Sequence, residues 1–291
     1  MVTLTRDHVR AAGPQGPRQK AFKTALAEVR TGVVSDDTVR FFQGLARPLP
    51  RNVVPAQLFA RKKDVETANE ARLNQLTGSS TEYLAHDSMS NFDEYEFVKF
   101  IESTTAPKSL SLKLHSQVVF LKGDNNKGEF VKPGTHGVIV GLADKAKWEQ
   151  VKGAADKEDP KRAFTTTVGT GVKDGGIKWP VVKCYSPGNR VVYAWVMKAE
   201  WRLETGKDRF MERLQVPLRL CWASSIHSVQ GRTLNAVQVD LSKVFECGQA
   251  YVALSRVADP DQLQILNFRP SQIRGQADHK VLDFYRLHTG V

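Results

Sequence analysis

The loop from Ser225 to Thr233 contains the first group of residues that could do chemistry. Its sequence is Ser-Ile-His-Ser-Val-Gln-Gly-Arg-Thr, and it follows an apolar run typical of a buried strand. In parallel α/β sheets, ligands bind where strands end and helices begin, and a helix N-terminus there favours an anion. Small and hydroxyl-bearing residues also let the backbone approach phosphate oxygens. The pattern therefore favours an anion site, although a polar turn with a structural histidine has the same composition.

A second stretch, from Gly248 to Arg256, has helical spacing and ends in an arginine. An arginine near the end of a helix can reach across a domain interface to a γ-phosphate. Its planar guanidinium then stabilises charge in the transition state. The alternative is a surface arginine that neutralises the C-terminus of its own helix.

The elements that position these stretches alternate between strands and helices. Apolar runs predict strands at 56–60, 216–222, 237–241 and 263–268. Helical spacing predicts helices that end at Gly32, that start after the N-cap Ser35, that start at Asp64, and that cover 248–257 and 281–287. This alternation indicates a parallel sheet covered by helices on both faces.

The middle of the chain has a different pattern. Residues 79–107 have little regular period, 110–121 and 138–140 are typical of strands, and 180–184 with 190–197 predict a pair of strands in a small β unit. Residues 143–178 are rich in Lys, Asp, Gly and Thr and show no core face. We expect a long insertion or mobile loop there.

Composition narrows the class of partner. The formal net charge is +11, and such a field attracts polyanions, of which nucleic acid is the commonest; a basic surface for solubility or for a protein partner is the alternative. The three cysteines form no Cys-x-x-Cys or Cys/His cluster, so no metal site is expected and a reducing compartment fits. No apolar stretch approaches the roughly 20 residues that cross a bilayer, so no membrane partner is expected.

The segment from Arg213 to Phe268 resembles the petite-integration-frequency family of ATP-dependent DNA helicases, in superfamily one. The matches in register are 215–218, 222–223, 225–227, 230–231, 233–234, 239–241, 244–246, 248–256 and 263–268. Residues 58–65, 112–118 and 4–32 resemble earlier parts of the same domain. The resemblance implies an α/β fold, with a RecA-like parallel sheet domain of the P-loop NTPase type and an inserted small SH3-like β-barrel. The implied boundaries are 1–122, 123–212 and 213–291.

The resemblance also implies roles for individual residues. Arg10 and Arg256 are implied to contact a γ-phosphate. The implied nucleotide-facing positions are Gln230, Gly231 and Tyr251. The positions implied to face single-stranded nucleic acid are Ser225, His227, Thr233 and Lys122. The chain departs from the family at a few positions. Ser228 and Val229 replace a basic and a small polar residue, Ala11 replaces a glutamine, and Lys132-Pro133 replaces Asn-Gly.

The 291 residues contain no Gly-x-x-x-x-Gly-Lys-Ser/Thr loop to cradle phosphates and no strand that ends in paired acidic residues. We therefore expect the chain to bind ATP and Mg²⁺ only together with a first RecA-like domain, supplied in cis or in trans. The expected partner is single-stranded DNA or RNA, and the expected compartment is the nucleus or the mitochondrion.

Two functional hypotheses follow. The first is the C-terminal motor domain of a 5′-to-3′ DNA helicase, which is not a complete ATPase by itself. The second is a non-catalytic module, derived from a helicase, that binds nucleic acid or acts as a scaffold in a larger nucleoprotein assembly. A metabolic α/β enzyme would need a nucleophile–base pair or a metal cluster, and the sequence shows neither. In particular, His227 has no acidic partner that the sequence identifies, and Asp240 and Glu246 fit strand-end and loop carboxylates.

Overall fold

The structure, a computed structural model, describes residues 16–50, 53–127, 129–158, 163–170, 177–186, 190–206, 208–275, 277–280, 282–283 and 287. Arg10, and most of the helix predicted at 281–287, lie outside these ranges. Contacts divide the chain into a first unit, Met1–Asn69 with Trp222–Val291, and a second unit, Glu70–Cys221. The predicted insertion at 123–212 falls inside the second unit, which also takes in residues 70–122 and 213–221.

The helices are α1 (Pro17–Thr31), α2 (Asp36–Gln43), α3 (Lys62–Gln75), α4 (Glu94–Ser103), α5 (Lys145–Glu158) and α6 (Gln249–Leu254). The strands are β1 (Ala56–Phe59), β2 (Thr81–Leu84), β3 (His86–Ser90), β4 (Ser109–Leu112), β5 (Gln117–Phe120), β6 (His136–Ala143), β7 (Ala163–Val168), β8 (Trp179–Tyr185), β9 (Val191–Val196), β10 (Ala199–Glu204), β11 (Phe210–Gln215), β12 (Leu218–Leu220), β13 (Ala223–Ser225), β14 (Val237–Asp240) and β15 (Leu263–Leu266). None of the described helices is both long and apolar enough to span a membrane.

The first unit contains a four-stranded sheet in the order β13-β1-β14-β15, and all its pairs are parallel. The strands predicted at 56–60, 237–241 and 263–268 are thereby confirmed, because their apolar side chains form the core. Leu58, Val239 and Ile265 are fully buried in one cluster. Side chains of α1, α2 and α6 join the same cluster.

Local signals set the ends of the first two helices, as predicted. Gly32 ends α1 with φ of 74°, a left-handed conformation that residues with a Cβ adopt only at a cost. The Oγ of Ser35 accepts a hydrogen bond from the backbone N–H of Thr38, which caps α2. Phe22 of α1 and Phe42 of α2 then meet edge to face, with ring centroids 6.4 Å apart.

The apolar run at 216–222 was predicted to be one strand, and this prediction is wrong. Its first part is β12, which pairs antiparallel with β5 of the second unit. The strand that leads into the polar loop is instead β13, which has only three residues. The backbone accounts for the split: the N–H of Cys221 donates to Gln117 O, whereas the carbonyl of Trp222 accepts from Gln57. Hydropathy alone does not mark this change of partner.

The second unit is built around a six-stranded sheet in the order β12-β5-β6-β8-β9-β7. Its pairs are antiparallel except β7 with β9, which are parallel. The predicted pairing of 180–184 with 190–197 is confirmed by β8 and β9. Closure into an SH3-like barrel stays a prediction.

Burial, followed by the negative charge of Asp124, raises the pKa of the Cys184 thiol in this sheet to about 12.

The prediction of a long loop at 143–178 is wrong. Helix α5 and strand β7 occupy most of the described part of this stretch. Trp148 of α5 is 2% exposed and stacks on Trp195 of β9, with ring centroids 5.9 Å apart. A single large aromatic therefore anchors a helix whose other residues have the composition of a loop.

The irregular stretch at 79–107 also contains regular elements, β2, β3 and α4, and a buried ion pair holds them in place. Strand β3 pairs with β11, which also pairs with β10. Arg213 of β11 is 3% exposed, and its Nε and one terminal nitrogen lie 2.7 and 2.8 Å from the two carboxylate oxygens of Asp87 on β3. Its other terminal nitrogen donates to Thr104 Oγ1 and to the carbonyl of Ala106.

Replacement of Arg213 by Met should therefore destabilise the chain by about 2–4 kcal/mol, because it removes a buried cation from the partly exposed Asp87 carboxylate. Urea unfolding followed by far-UV circular dichroism measures the change. The control is Arg202→Met in neighbouring β10, whose exposed ion pairs with Glu204 and Glu212 should contribute much less. Equal losses for the two variants would contradict the role assigned to the buried pair.

Candidate functional site

The polar loop of interest begins at the carboxyl end of edge strand β13. A helix N-terminus was expected here, but the structure has a three-residue 3₁₀ turn, His227–Val229. The two serines around this turn bond to each other: the N–H of Ser228 donates to Ser225 Oγ, and the hydroxyl of Ser228 donates to Ser225 O. Since no α-helix starts here, any anion would be held by side chains and single amides rather than by a helix dipole.

The amide side chain of Asn69 on α3 fixes the strand that carries this loop. Its Nδ2 donates to the carbonyl of Ala223 at 3.1 Å, and its Oδ1 accepts from the N–H of Ala223 at 2.9 Å. Neighbouring backbone groups of β13 bond to β1 on the other side. Asn69 is 5% exposed, so it acts as a buried substitute for a further strand.

The next part of the loop is exposed and turns at a glycine. Gly231 has φ of 77°, which residues with a Cβ rarely adopt. Gln230 and Thr233, predicted to face nucleotide and nucleic acid respectively, have exposed side chains on either side of it. These positions are open to a ligand, and their roles stay predictions.

Arg256 joins the loop to helix α6. One terminal nitrogen of its guanidinium donates to the carbonyl of Arg232 at 3.1 Å, and the other donates to Ser255 Oγ at 2.6 Å. Its Nε donates to Val252 O, while its own carbonyl accepts from the N–H of Leu234 at 2.7 Å. The two stretches that the sequence singled out therefore form one hydrogen-bonded site.

No acidic partner of His227 was identified from the sequence, and the structure shows one. Nε2 of His227 lies 2.7 Å from Oε2 of Glu246, nineteen residues along the chain. Glu246 belongs to the loop after β14, and β13 and β14 are parallel strands of one sheet. Loops at the carboxyl ends of such strands meet along one edge, which was the available signal. Both side chains are about half exposed, so a ligand could compete for this contact.

Phe245, next to Glu246 in the chain, is an aromatic residue for which no role was predicted from the sequence. Phe245 is 59% exposed, and its backbone N–H donates to Oε1 of the buried Gln249. An exposed aromatic on an anchored backbone is a surface on which a nucleobase can stack. Tyr251, predicted to face nucleotide, is half-buried and packs against the core of the first unit, and its role stays a prediction.

Lys122 was grouped with the loop residues and lies in the second unit. Its Nζ is 4.8 Å from the ring centroid of Trp201 and donates to the carbonyl of Glu200. Arg10, the other predicted phosphate contact, is outside the described residues. The geometry thus assembles Ser225, His227, Gly231 and Arg256 around one loop.

The residues were also tested for a fit to ATP and Mg²⁺. Within the ranges that the structure describes, no three His, Cys, Asp or Glu side chains group as metal ligands. The sequence contains no phosphate-binding loop. Binding of ATP and Mg²⁺ together with a first RecA-like domain stays a prediction.

Comparison with known proteins gives the family. No protein-family model matches the chain. The ATP-dependent DNA helicase PIF1 of Emericella nidulans is 35% identical over 287 residues, which cover 92% of this chain, and the human PIF1 is 30% identical over 269 residues. The crystal structure of Pif1 helicase from Candida albicans superposes with a TM-score of 0.76 at 33% identity, over 93% of this chain. This chain belongs to the Pif1 helicase family.

The likeness to Pif1 covers only part of each relative. The chain spans 38% of the Emericella protein, 35% of the human protein and 59% of the Candida chain. A Bacteroides Pif1 bound to single-stranded DNA has the same fold, with a TM-score of 0.64 at 19% identity over 93% of this chain and 54% of that one. The Pif1 structures confirm the predicted α/β, RecA-like fold class.

The contact between Asn69 and Ala223 leads to a prediction about this Pif1-family site. Asn69→Leu should lower the free energy of unfolding by about 2–4 kcal/mol, because it leaves the buried N–H and C=O of Ala223 unsatisfied. It should also speed amide hydrogen exchange from Ser225 to Gly231. The matched control is Asn74→Leu at an exposed position of the same helix. Unchanged exchange in Asn69→Leu would show that the amide does not hold the loop.

Proposed function

We propose that this chain is a DNA-binding motor domain of an ATP-dependent 5′-to-3′ helicase, and that it works with a first RecA-like domain outside these 291 residues. One observation carries the proposal: the guanidinium of Arg256 is bonded to the carbonyl of Arg232, within the loop that also holds Ser225 and His227. The residue predicted to contact phosphate and the residues predicted to contact DNA therefore move together. Such a link is what a motor needs to convert closure of one site into movement at another.

The proposed DNA contacts lie on the exposed side of the loop. His227 and Thr233 can bond phosphate oxygens, and Phe245 can stack on a base. For His227 to contact a phosphate, that phosphate must replace the carboxylate of Glu246. The net charge of +11 adds a long-range attraction for any nucleic acid. The relatives are named DNA helicases, which favours DNA over RNA as the substrate.

The proposed contribution to ATP is a pair of arginines, Arg256 and Arg10, while the first domain would hold the nucleotide and Mg²⁺. Arg256 bonds carbonyl and hydroxyl oxygens of its own chain. To reach a phosphate it must give up at least its bond to Arg232. Release of that bond would loosen the turn around Gly231 and so alter the neighbouring DNA contacts. Since the relatives are named DNA helicases, the proposed compartment is the nucleus or the mitochondrion, and the proposed roles are repair, recombination or telomere maintenance.

A second candidate is a non-catalytic nucleic-acid-binding or scaffold module in a nucleoprotein assembly. The hydrogen bonds of the Arg256 guanidinium also favour this second candidate, because its N–H groups already donate to oxygens of the same chain. Ser228 and Val229 also stand where the family has a basic and a small polar residue. This candidate predicts tight binding to RNA or to a large assembly that ATP does not affect.

Fluorescence anisotropy with labelled single-stranded DNA tests the shared part of both candidates. The purified chain should bind with an affinity that falls linearly in log–log form with salt, by about 0.7 per phosphate contact. ATP should not change the affinity, because this chain lacks the phosphate loop. Absence of binding at low salt would rule out a DNA-binding domain, and weaker binding to DNA than to RNA of the same sequence would favour the second candidate.

Reconstitution separates the two candidates. A first RecA-like domain from a Pif1 relative, fused or added in trans, should restore DNA-stimulated ATP hydrolysis. Arg256→Ala should then lower that hydrolysis at saturating DNA by a factor on the order of 10³, the scale of an arginine finger. The control is Arg274→Ala, an exposed arginine of the same unit that pairs with Asp36. No hydrolysis, or hydrolysis that Arg256→Ala leaves intact, would exclude the motor.

A further inference from the structure

A basic groove lies on the second unit. It has a volume of about 620 Å³ and is lined by Lys122, Gly123, Asp124, Lys127, Lys132 and Pro133, here called the lysine groove. Three lysines and one aspartate therefore line the same space. An anion with several charged oxygens is the kind of ligand that fits this balance.

The one carboxylate in the groove is engaged within the protein. Asp124 is 6% exposed, and its Oδ2 accepts from the N–H groups of Phe130 and Val131 at 2.9 and 2.8 Å. Its own N–H donates to Val131 O. The Asp124 carboxylate thus bonds the backbone of Phe130 and Val131, and the two amide dipoles partly neutralise its charge. It opposes an incoming anion less than an exposed carboxylate would.

Short, anchored turns hold two of the lysines. Lys127 has φ of 58° at the tip of the loop, and next to it the N–H of Asn125 donates to Thr167 O and its Nδ2 to Gly169 O. Lys132 starts a turn in which its N–H donates to Thr135 Oγ1 and its carbonyl accepts from the N–H of Thr135. Both lysine side chains are exposed, so the backbone fixes where the charges are while the ammonium groups stay accessible.

Lys122 brings an aromatic ring to the groove. Its ammonium lies against the face of Trp201, which is half-buried, whereas the other four tryptophans are buried. The charge of this ammonium also acts on Glu200, whose pKa is raised by burial, together with a hydrogen bond and the charge of Glu212. A cation beside an accessible aromatic is typical of surfaces that bind nucleic acid, where phosphate and base are contacted together.

We propose that the lysine groove binds the phosphodiester backbone of single-stranded nucleic acid, as a second contact separate from the loop at Ser225–Thr233. The proposal rests on the proposed function, in that nucleic acid is the ligand. The family resemblance assigns only Lys122 of these lysines to nucleic acid, so the contacts at Lys127 and Lys132 are what the groove adds. Lys122 and Trp201 contact backbone and base at one end, and Lys127 and Lys132 hold phosphates at the other.

The double variant Lys127→Gln/Lys132→Gln tests the groove in the full chain. It should weaken binding of fluorescent single-stranded DNA on the order of tenfold at low salt and reduce the log–log salt slope by about 1.4, the value for two phosphate contacts on a single strand. The matched control is Lys145→Gln/Lys147→Gln on α5, which removes the same charge from exposed positions of the same unit. All four lysines are exposed, and equal melting temperatures will show that each variant is folded.

Three outcomes overturn the proposal, and they are distinguishable. Equal losses in the two double variants would mean that only net charge matters, while the proposed function would stand. Wild-type chain that binds no DNA would remove both. Displacement of a fluorescent anion by pyrophosphate that depends on Lys127 and Lys132, with unchanged DNA affinity, would identify a site for free phosphates instead.

Tryptophan emission gives an independent signal. Single-stranded DNA that draws the Lys122 ammonium from the ring, or stacks on it, should change the emission of Trp201. The change should disappear in Trp201→Phe and be reduced in Lys122→Gln, with the other four tryptophans as an internal reference. An emission change that persists in Trp201→Phe would contradict a contact at this end of the groove.

Discussion

The candidate site depends on one side-chain amide, that of Asn69. Strand β13 has three residues and pairs on one side only, with β1. An unpaired edge leaves backbone groups without partners, which costs about as much as lost hydrogen bonds when they are buried. Asn69 bonds both the N–H and the C=O of Ala223 and so completes the edge without a further strand. The loop that begins at Ser225 can be exposed and rich in turns because the strand before it is held from both sides.

The guanidinium of Arg256 has a comparable role at the far end of the same loop. It bonds the carbonyls of Arg232 and Val252, and its backbone carbonyl accepts from the N–H of Leu234. A charged donor that bonds its own chain is stable yet exchangeable, because a phosphate offers stronger acceptors than a carbonyl does. The contact between His227 and Glu246 is similar in that both side chains are about half exposed and open to a competing ligand. The polar groups of this site thus bond partners within the chain.

The sequence predicted what depends on local or continuous patterns. Strands at 237–241 and 263–268 could be predicted because apolar residues recur there with one polar residue between them. The helix ends at Gly32 and Ser35 could be predicted because each depends on a single local residue. The helix at Lys145–Glu158 was missed because, among its described side chains, only Trp148 and the partly buried Val151 pack on the core. The pair of His227 and Glu246 was missed because it depends on strand order, which no residue spacing states. The family resemblance identified the loop residues but not the short 3₁₀ turn, which depends on where β13 ends.

The placement of acidic partners explains how the chain presents its positive charge. Asp87 is paired with buried Arg213, Asp124 accepts from two backbone amides, and Asp64 lies 2.6 Å from Lys243. These three carboxylates hold elements of the fold together, and their charges are partly offset by the groups that they bond. Lys127 and Lys132 are exposed on short turns of the second unit. Charge excess alone attracts any polyanion, but lysines held on short turns, with Lys122 against the half-buried Trp201, favour a ligand that alternates phosphates with flat bases.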